Sequence, residues 1–166
     1  MGSPILVTGG TGTLGRQVVA RLLDAGRRVR VLSRRPRAPR PGVELVVGDL
    51  MKDGGAGAAV DGVATVVHCA SDNKGDAAAT RALTAAAAQA AVTHLVYVSI
   101  VGVERLSFGY TKAKLDCERI VAGSGVPWTT LRATQFYDMI FKDQFPFEVH
   151  NGQPERGPEP AGETAG

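Results

Sequence analysis

The run Thr8-Gly9-Gly10-Thr11-Gly12-Thr13-Leu14-Gly15 could hold an anion. Its glycines are spaced Gly9-x-x-Gly12-x-x-Gly15. They lie between an apolar β-branched run (Ile5-Leu6-Val7) and a segment whose apolar residues (Leu14, Val18, Val19, Leu22, Leu23) recur at helical spacing. A strand, a turn and a helix start in that order leave free backbone N–H groups at the positive end of a helix dipole, where a pyrophosphate binds. The first glycine gap is longer than in the common dinucleotide fingerprint G-x-G-x-x-G. Glycine-rich turns also arise for plain steric reasons, and only the flanking strand and helix separate the two readings. A second pair is Tyr110 and Lys114. Four residues apart, they share one face of a helix and set a phenol beside an ammonium. His68, His94 and His150 form no ligand-spaced cluster, so no metal is expected. His68 reads as a strand residue with a local hydrogen bond.

The elements that must position these groups alternate. Apolar runs predict strands at residues 4–8, 29–33, 43–48, 64–69, 95–99 and 128–132, with helices at 13–25, 56–60, 76–91 and 110–123. The strands lack strict polar alternation, which marks burial on both faces of a parallel sheet. Alternating β and α units imply right-handed crossovers. Six strands suffice for an α/β doubly wound parallel sheet, the Rossmann fold, with strand order 3-2-1-4-5-6. The alanine-rich stretch 77–91 reads as a crossover helix, since alanine is the best helix former. Gly26, just after Leu22-Leu23, suits the position that ends the first helix.

With 44% hydrophobic and 21% charged residues, the 166-residue chain reads as one globular domain over 1–150. Residues 151–166 are rich in Gly, Pro, Glu and Ala and predict a disordered tail. Cys69 and Cys117 lie in apolar or amphipathic contexts and read as reduced, buried thiols rather than a disulfide framework. No apolar run would span a bilayer and no signal-peptide pattern precedes the first strand, so a cytoplasmic protein without a membrane partner is expected. The net charge is only +3, but Arg27, Arg28, Arg30, Arg34, Arg35, Arg37 and Arg40 crowd one stretch. Such a patch can track nucleic-acid phosphates. Here it has no interleaved aromatics and no binding motif, so nucleic acid is not expected. A solvated basic surface is the plain alternative, chiefly for Arg27, Arg37 and Arg40.

Thr8-Gly9-x-x-Gly12-x-x-Gly15, Val47-Gly48-Asp49-Leu50, His68-Cys69-Ala70-Ser71 and Tyr110-Thr111-Lys112-Ala113-Lys114 occur in the order of the short-chain dehydrogenase/reductase superfamily. Val98-Ser99-Ile100-Val101-Gly102 and Leu131-Arg132-Ala133-Thr134-Gln135-Phe136 narrow the likeness. Residues 4–140 resemble the atypical, NmrA-like, NAD(P)H-binding branch. The resemblance implies that Gly9, Gly12 and Gly15 shape the turn against a dinucleotide pyrophosphate. Thr11, Thr13 and Leu14 would add backbone N–H groups or a hydroxyl. Asp49 would contact the adenine amino group with Leu50 beside the ring, or else serve as an N-cap or turn aspartate. Cys69, Ala70 and Ser71 would line the ribose. The second strand ends Leu32-Ser33-Arg34-Arg35. An acid there takes the 2′-OH of NAD, whereas arginine takes the 2′-phosphate of NADP. Ser33 and Arg34, supported by Arg35, therefore imply NADP(H) in preference to NAD(H).

By the same resemblance Tyr110 would exchange a proton with the reacting carbonyl or hydroxyl. Lys114 would lower the tyrosine pKa and hold the nicotinamide ribose, with Ser99 ending the fifth strand nearby. Lys112 is expected to face solvent. The chain departs from the family in three ways. The substrate-orienting Ser or Thr aligns nearer Val101, which has no hydroxyl. The loop from Ser99 to Tyr110 is short. The pattern fades after Gln135-Phe136-Tyr137, where relatives build a substrate pocket. Phe136, Tyr137, Phe141, Phe145 and Phe147 read as a short helix packed on the core, with a sheet-edge cover or a homodimer interface as alternatives. The function implied is an NADPH-dependent oxidoreductase acting on a small carbonyl or quinone-type substrate of unknown identity. The alternatives are a non-catalytic NADP(H)-binding redox sensor or regulatory protein, and an inactive truncated member.

Overall fold

Six short apolar runs pair side by side in the computed structural model, which describes residues 2–52, 54–71, 75–104 and 109–134 and the backbone of 149–150 and 153–154. They are β1 (Ile5–Thr8), β2 (Val29–Ser33), β3 (Val43–Val47), β4 (Thr65–His68), β5 (His94–Ile100) and β6 (Trp128–Ala133). All pairings are parallel and the order is β3-β2-β1-β4-β5-β6, the Rossmann order expected from the alternation of elements. The crossovers are α1 (Thr13–Asp24), α2 (Gly55–Val60), α3 (Asp76–Gln89) and α4 (Gly109–Ala122). Sequence periodicity placed every one of these ends within two residues.

Two apolar layers hold the sheet. On one face Val19 of α1 packs with Val7, Val29 and Val31, and Leu22 and Leu23 extend the contact. On the other face α2, α3 and α4 bury Leu6, Val66, Leu83, Leu95 and Val121. Fully burying such a side chain stabilises by about 1.5–3 kcal/mol. The alanines of α3 leave room for Leu83 and Ala87 to seat directly on the strands. On the face that α1 covers, Val96, Val98 and Ile100 of β5 are only half-buried and Leu131 of β6 is exposed.

Helix α1 ends as Gly26 predicts. Its φ is +68°, its N–H reaches the Leu23 carbonyl at 2.9 Å, and the Arg27 N–H reaches the Leu22 carbonyl at 2.9 Å. That is the two-bond stop that favours glycine. One member of the arginine-rich stretch leaves the basic surface altogether. Arg30 donates to the carbonyls of Ala59 and Asp61 and pairs with Glu44 at 2.9 Å. Of the two free thiols, Cys117 is fully buried as expected, whereas Cys69, at the open end of β4, is only partly so.

The chain divides into two units, Met1–Ala133 and Thr134–Gly166. In the second, β7 (Val149–His150) and β8 (Gln153–Pro154) form an antiparallel pair. The remainder of the expected tail 151–166, and the aromatic positions from Phe136 to Phe147, lie outside the described residues. No described helix is long and apolar enough to cross a membrane.

Candidate functional site

The sheet order reverses at β1, which has β2 on one side and β4 on the other. Ligands of doubly wound sheets bind in the crevice that this reversal opens at the carboxyl ends of the strands. The glycine turn lies there. Gly9 leaves β1 at φ +68°, and a Cβ on it would stand 2.6 Å from the backbone nitrogen of Ala70. A Cβ on Gly15 would stand 2.0 Å from the Gly9 carbonyl oxygen. Gly10 meets the Val31 side chain in the same way, at 2.9 Å, which explains a glycine outside the spaced motif. Turn, helix start and β4 end are therefore in backbone-to-backbone contact. The Gly12 N–H closes the turn on the Gly9 carbonyl at 2.9 Å, and Gly12 caps α1 without any side-chain hydrogen bond. The first N–H groups of α1 have no intrahelical acceptor. Thr11, Gly12 and Thr13 are exposed, Leu14 is half-buried and Gly15 is buried. A tightly packed glycine turn that admits no side chain, leading into an uncapped helix start with free N–H groups, fits a dinucleotide pyrophosphate.

The neighbouring strand ends are more self-contained. Ser33 is buried, and its hydroxyl donates to the Arg35 carbonyl at 2.8 Å while facing the Arg35 N–H at 3.3 Å. This small loop holds Arg34 and Arg35 out at the surface. Asp49 follows β3, and its Oδ1 accepts the Met51 N–H at 3.0 Å, the turn role that was one of its two expected readings. Leu50 is buried beneath it. Ala70 is half-buried and Ser71 exposed.

Behind the end of β4 runs a buried polar chain that sequence inspection did not foresee. The Thr80 hydroxyl donates to the Asp76 carbonyl at 2.7 Å, with Cys117 Sγ at 3.3 Å as a further acceptor, so its one proton is turned away from the ring. His68 Nε2, 3.1 Å from Thr80 Oγ1, is then the donor of that pair. His68 Nδ1 is left to accept from Thr8 Oγ1 at 2.6 Å. The network thus assigns the neutral Nε2–H tautomer. Burial, and secondarily the nearby Lys114 charge, press the imidazole down to about 3. The hydrogen bond expected of His68 was a local one; the two it makes reach hydroxyls 60 and 12 residues away in the chain and tie the last residue of β1 to α3.

Lys114 lies at the end of this chain. It is buried on α4, its Nζ 3.9 Å from Asp76 Oδ2. The ammonium sits 5.3 Å from the ring centre of Tyr97 and 5.8 Å from that of Tyr110, so two aromatic faces flank it. Asp76 Oδ2 also accepts from the Ser71 hydroxyl at 2.9 Å. Burial works against the Lys114 charge and lowers its pKa, while Asp76 and then the thiols of Cys117 and Cys69 oppose that. Burial pushes the Cys69 thiol up to about 11, keeping it protonated. Residues 69–71 thus touch both halves of the site, since Ala70 backs the glycine turn and Ser71 bonds the partner of Lys114. Lys112 is exposed, as expected, and Tyr110 is half-buried at the first turn of α4.

Ser99 is fully buried within β5, and its Oγ meets no partner at good hydrogen-bond geometry. Burial raises the Glu118 carboxyl, but Arg132 outweighs it and holds the group below its ordinary value. Arg132 grips both Glu118 oxygens, at 3.0 and 2.7 Å, and also reaches Glu104. This fork-to-fork pair fastens β6 to α4 and to the start of the loop after β5. Nothing in the chain pointed to Asp76 beside Lys114 or to Glu118 beside Arg132, because those pairs form only through the fold. Val101, aligned with the family's hydroxyl position, is 57% exposed. A separate shallow hollow of about 230 Å³, lined by Pro4, Arg28, Val29, Gly42, Val43 and Glu44, lies at the opposite ends of the strands and has no part in this arrangement.

A family profile described as NAD(P)H-binding matches residues 9–158. The chain is 40% identical over 138 residues to the (4-alkanoyl-5-oxo-2,5-dihydrofuran-3-yl)methyl phosphate reductase of Streptomyces griseus, covering 80% of this chain and 48% of that protein. It is 32% identical over 151 residues to the photosystem II assembly factor Ycf39 of Trieres chinensis, covering 83% of this chain and 47% of the relative. The chain thus spans about half the length of these curated relatives. Among solved structures, the triphenylmethane reductase of Citrobacter sp. complexed with NADP(H) superposes with a TM-score of 0.72 at 24% identity, over 82% of this chain and 51% of that one. At that identity the likeness speaks for the fold.

Proposed function

Because the chain belongs to the NAD(P)H-binding family, in the short-chain dehydrogenase/reductase-like, NmrA-like group its motifs resemble, we propose that it is an NADPH-dependent oxidoreductase acting on a small carbonyl or quinone-type substrate. The observation that carries this reading is the meeting of three features through residues 69–71. They are the glycine turn against Ala70, the Ser71–Asp76 bond, and buried Lys114 with Tyr110 beside it. A dinucleotide would rest its pyrophosphate on Gly9, Thr11, Gly12, Thr13, Leu14 and Gly15. Asp49 and Leu50 would flank the adenine, and Cys69, Ala70, Ser71 and Lys114 the riboses. The bound cofactor supplies a hydride equivalent. The chain's own part is to fix the ribose with Lys114 and to deliver the matching proton from the Tyr110 hydroxyl.

The preference for NADPH rests on Arg34 and Arg35, which Ser33 holds at the crevice rim where family arginines meet a 2′-phosphate. In calorimetric titrations Arg34→Asp is expected to weaken NADPH roughly a hundredfold relative to NADH, since a charge-assisted contact is replaced by a like-charge one. An unchanged ratio of the two affinities would dismiss the assignment. For catalysis, Tyr110→Phe is expected to lower turnover on a carbonyl and quinone panel about 10²–10⁴-fold while NADPH affinity stays the same, the scale on which a positioned proton donor acts. Equal turnover by the two proteins would remove Tyr110 from the mechanism.

A second reading, a non-catalytic NADP(H)-binding regulatory protein, is favoured by one observation. Val101 presents an exposed apolar side chain where the family places a substrate-orienting hydroxyl. Turnover above background on the same panel excludes it.

A further inference from the structure

Asp76 belongs to no motif, yet among the described residues it is the buried acid that pairs with Lys114. It opens α3, is 7% exposed, and its Oδ2 faces both Ser71 Oγ at 2.9 Å and Lys114 Nζ at 3.9 Å. A buried charge without a partner is strongly destabilising, so these two groups must share the pocket on terms set by geometry. The geometry is held from behind. Thr80 bonds the Asp76 carbonyl and receives His68, which is tied to Thr8 at the entrance of the glycine turn.

We propose that Asp76 is a positioning residue for Lys114: its carboxylate, anchored by Ser71 Oγ, ion-pairs with the ammonium and fixes where it sits at the end of β4. This rests on the reading of Lys114 as a cofactor contact. Among the described residues the groups that face Lys114 are few. They are Asp76 on α3, Cys69 after β4, Cys117 and Tyr110 on α4, Tyr97 on β5, and His68 on β4, which stays neutral. Asp76 is the one carboxylate among them, and burial keeps the Cys69 thiol protonated near neutrality. Removing its charge leaves the ammonium among aromatic rings and thiols alone. The lysine then sheds its proton more readily and loses its tether toward Ser71.

The test uses the full chain with Asp76→Asn, which keeps the side-chain shape and the Ser71 contact, and Asp76→Glu as the charge-restoring variant. The Lys114 side chain is followed by carbon-13 resonance of its ε-carbon, identified by its disappearance in Lys114→Arg. In Asp76→Asn the Lys114 titration is expected to move to lower pH, and Asp76→Glu to restore it in part. NADPH affinity at neutral pH is expected to fall roughly tenfold in Asp76→Asn, the scale on which the outer partner of a ligating side chain acts, with a steeper loss as pH rises. A merely structural role would lower the thermal midpoint without moving the lysine titration. An unmoved titration overturns the proposal. A moved titration with wild-type NADPH affinity in Asp76→Asn overturns the positioning role. Wild-type affinity in Lys114→Met overturns instead the underlying reading of Lys114, which keeps the two failures apart.

Discussion

Gly15→Ala is expected to abolish saturable NADPH binding and to destabilise the fold. The added Cβ would stand 2.0 Å from the Gly9 carbonyl oxygen, 2.6 Å from the Gly9 carbonyl carbon and 2.7 Å from Gly10 Cα. Carbon atoms attract at separations of about 3.5–4 Å and repel steeply well inside them. All three atoms are backbone, so no side chain can rotate out of the way. Relief requires α1 to slide from the turn, and α1 cannot slide without disturbing Val19 against Val7, Val29 and Val31. Overpacking of this kind costs about 1–3 kcal/mol or more. Each kcal/mol is worth about 2–4 °C of thermal midpoint in a protein of this size. Gly26→Ala is the matched control. Gly26 also has φ +68°, but a Cβ there meets nothing within 4 Å. It should cost only the left-handed backbone penalty, about 1–2 kcal/mol, and leave NADPH affinity unchanged. Calorimetry and a thermal melt on the two variants decide the matter. If Gly15→Ala binds as tightly as the wild type, the glycine turn is not the cofactor site.

Acid is expected to weaken the wild-type fold through one buried imidazole, and His68→Asn is expected to remove that sensitivity. In the folded chain His68 is held neutral down to about 3, against 6.5 in the unfolded chain. Below 6.5 the unfolded chain takes up a proton that the native state refuses. Stability is therefore whole above 6.5, declines as pH falls from 6.5 toward 3, and loses nothing more from this group below that. The slope in that window approaches about 1.4 kcal/mol per pH unit, or on the order of 5 kcal/mol across it. Asparagine cannot titrate there, although it forfeits one of the two hydroxyl contacts at a cost of about 1–3 kcal/mol at any pH. The comparison is therefore one of slopes, read from urea midpoints across the window. Parallel slopes for the two proteins would show that His68 does not set the acid limit.

What could be read from the chain, and what could not, follows a physical division. Strands buried on both faces carry uninterrupted β-branched runs, and α1 carries its apolar stripe and its stopping glycine within one window. Their order and ends were legible because the forces involved are local. Asp49 was legible to the same degree, since its contact with the Met51 N–H spans two residues. Arg30 was grouped with a basic surface because nothing nearby in the chain marks it as different. Its partners, Ala59, Asp61 and Glu44, arrive from α2's end and from β3. The same holds for Asp76 with Lys114 and for Arg132 with Glu118 and Glu104. These pairs are made by topology, and charge type alone does not announce them.

The position of β1 between β2 and β4 also has a consequence in time. The strands β1, β2 and β3 find one another through one helix and a short connection. The pairing of Thr8 with His68 must instead wait for a loop of some sixty residues to close. Nonlocal parallel pairing is slow for that reason. The crevice at the reversal of strand order is the seam between the two halves of the sheet, so it is complete only when both are paired. A dinucleotide lying across the seam would favour only the joined state. During synthesis or recovery from stress, the cell's pool of that molecule would therefore act as a latch on a finished sheet.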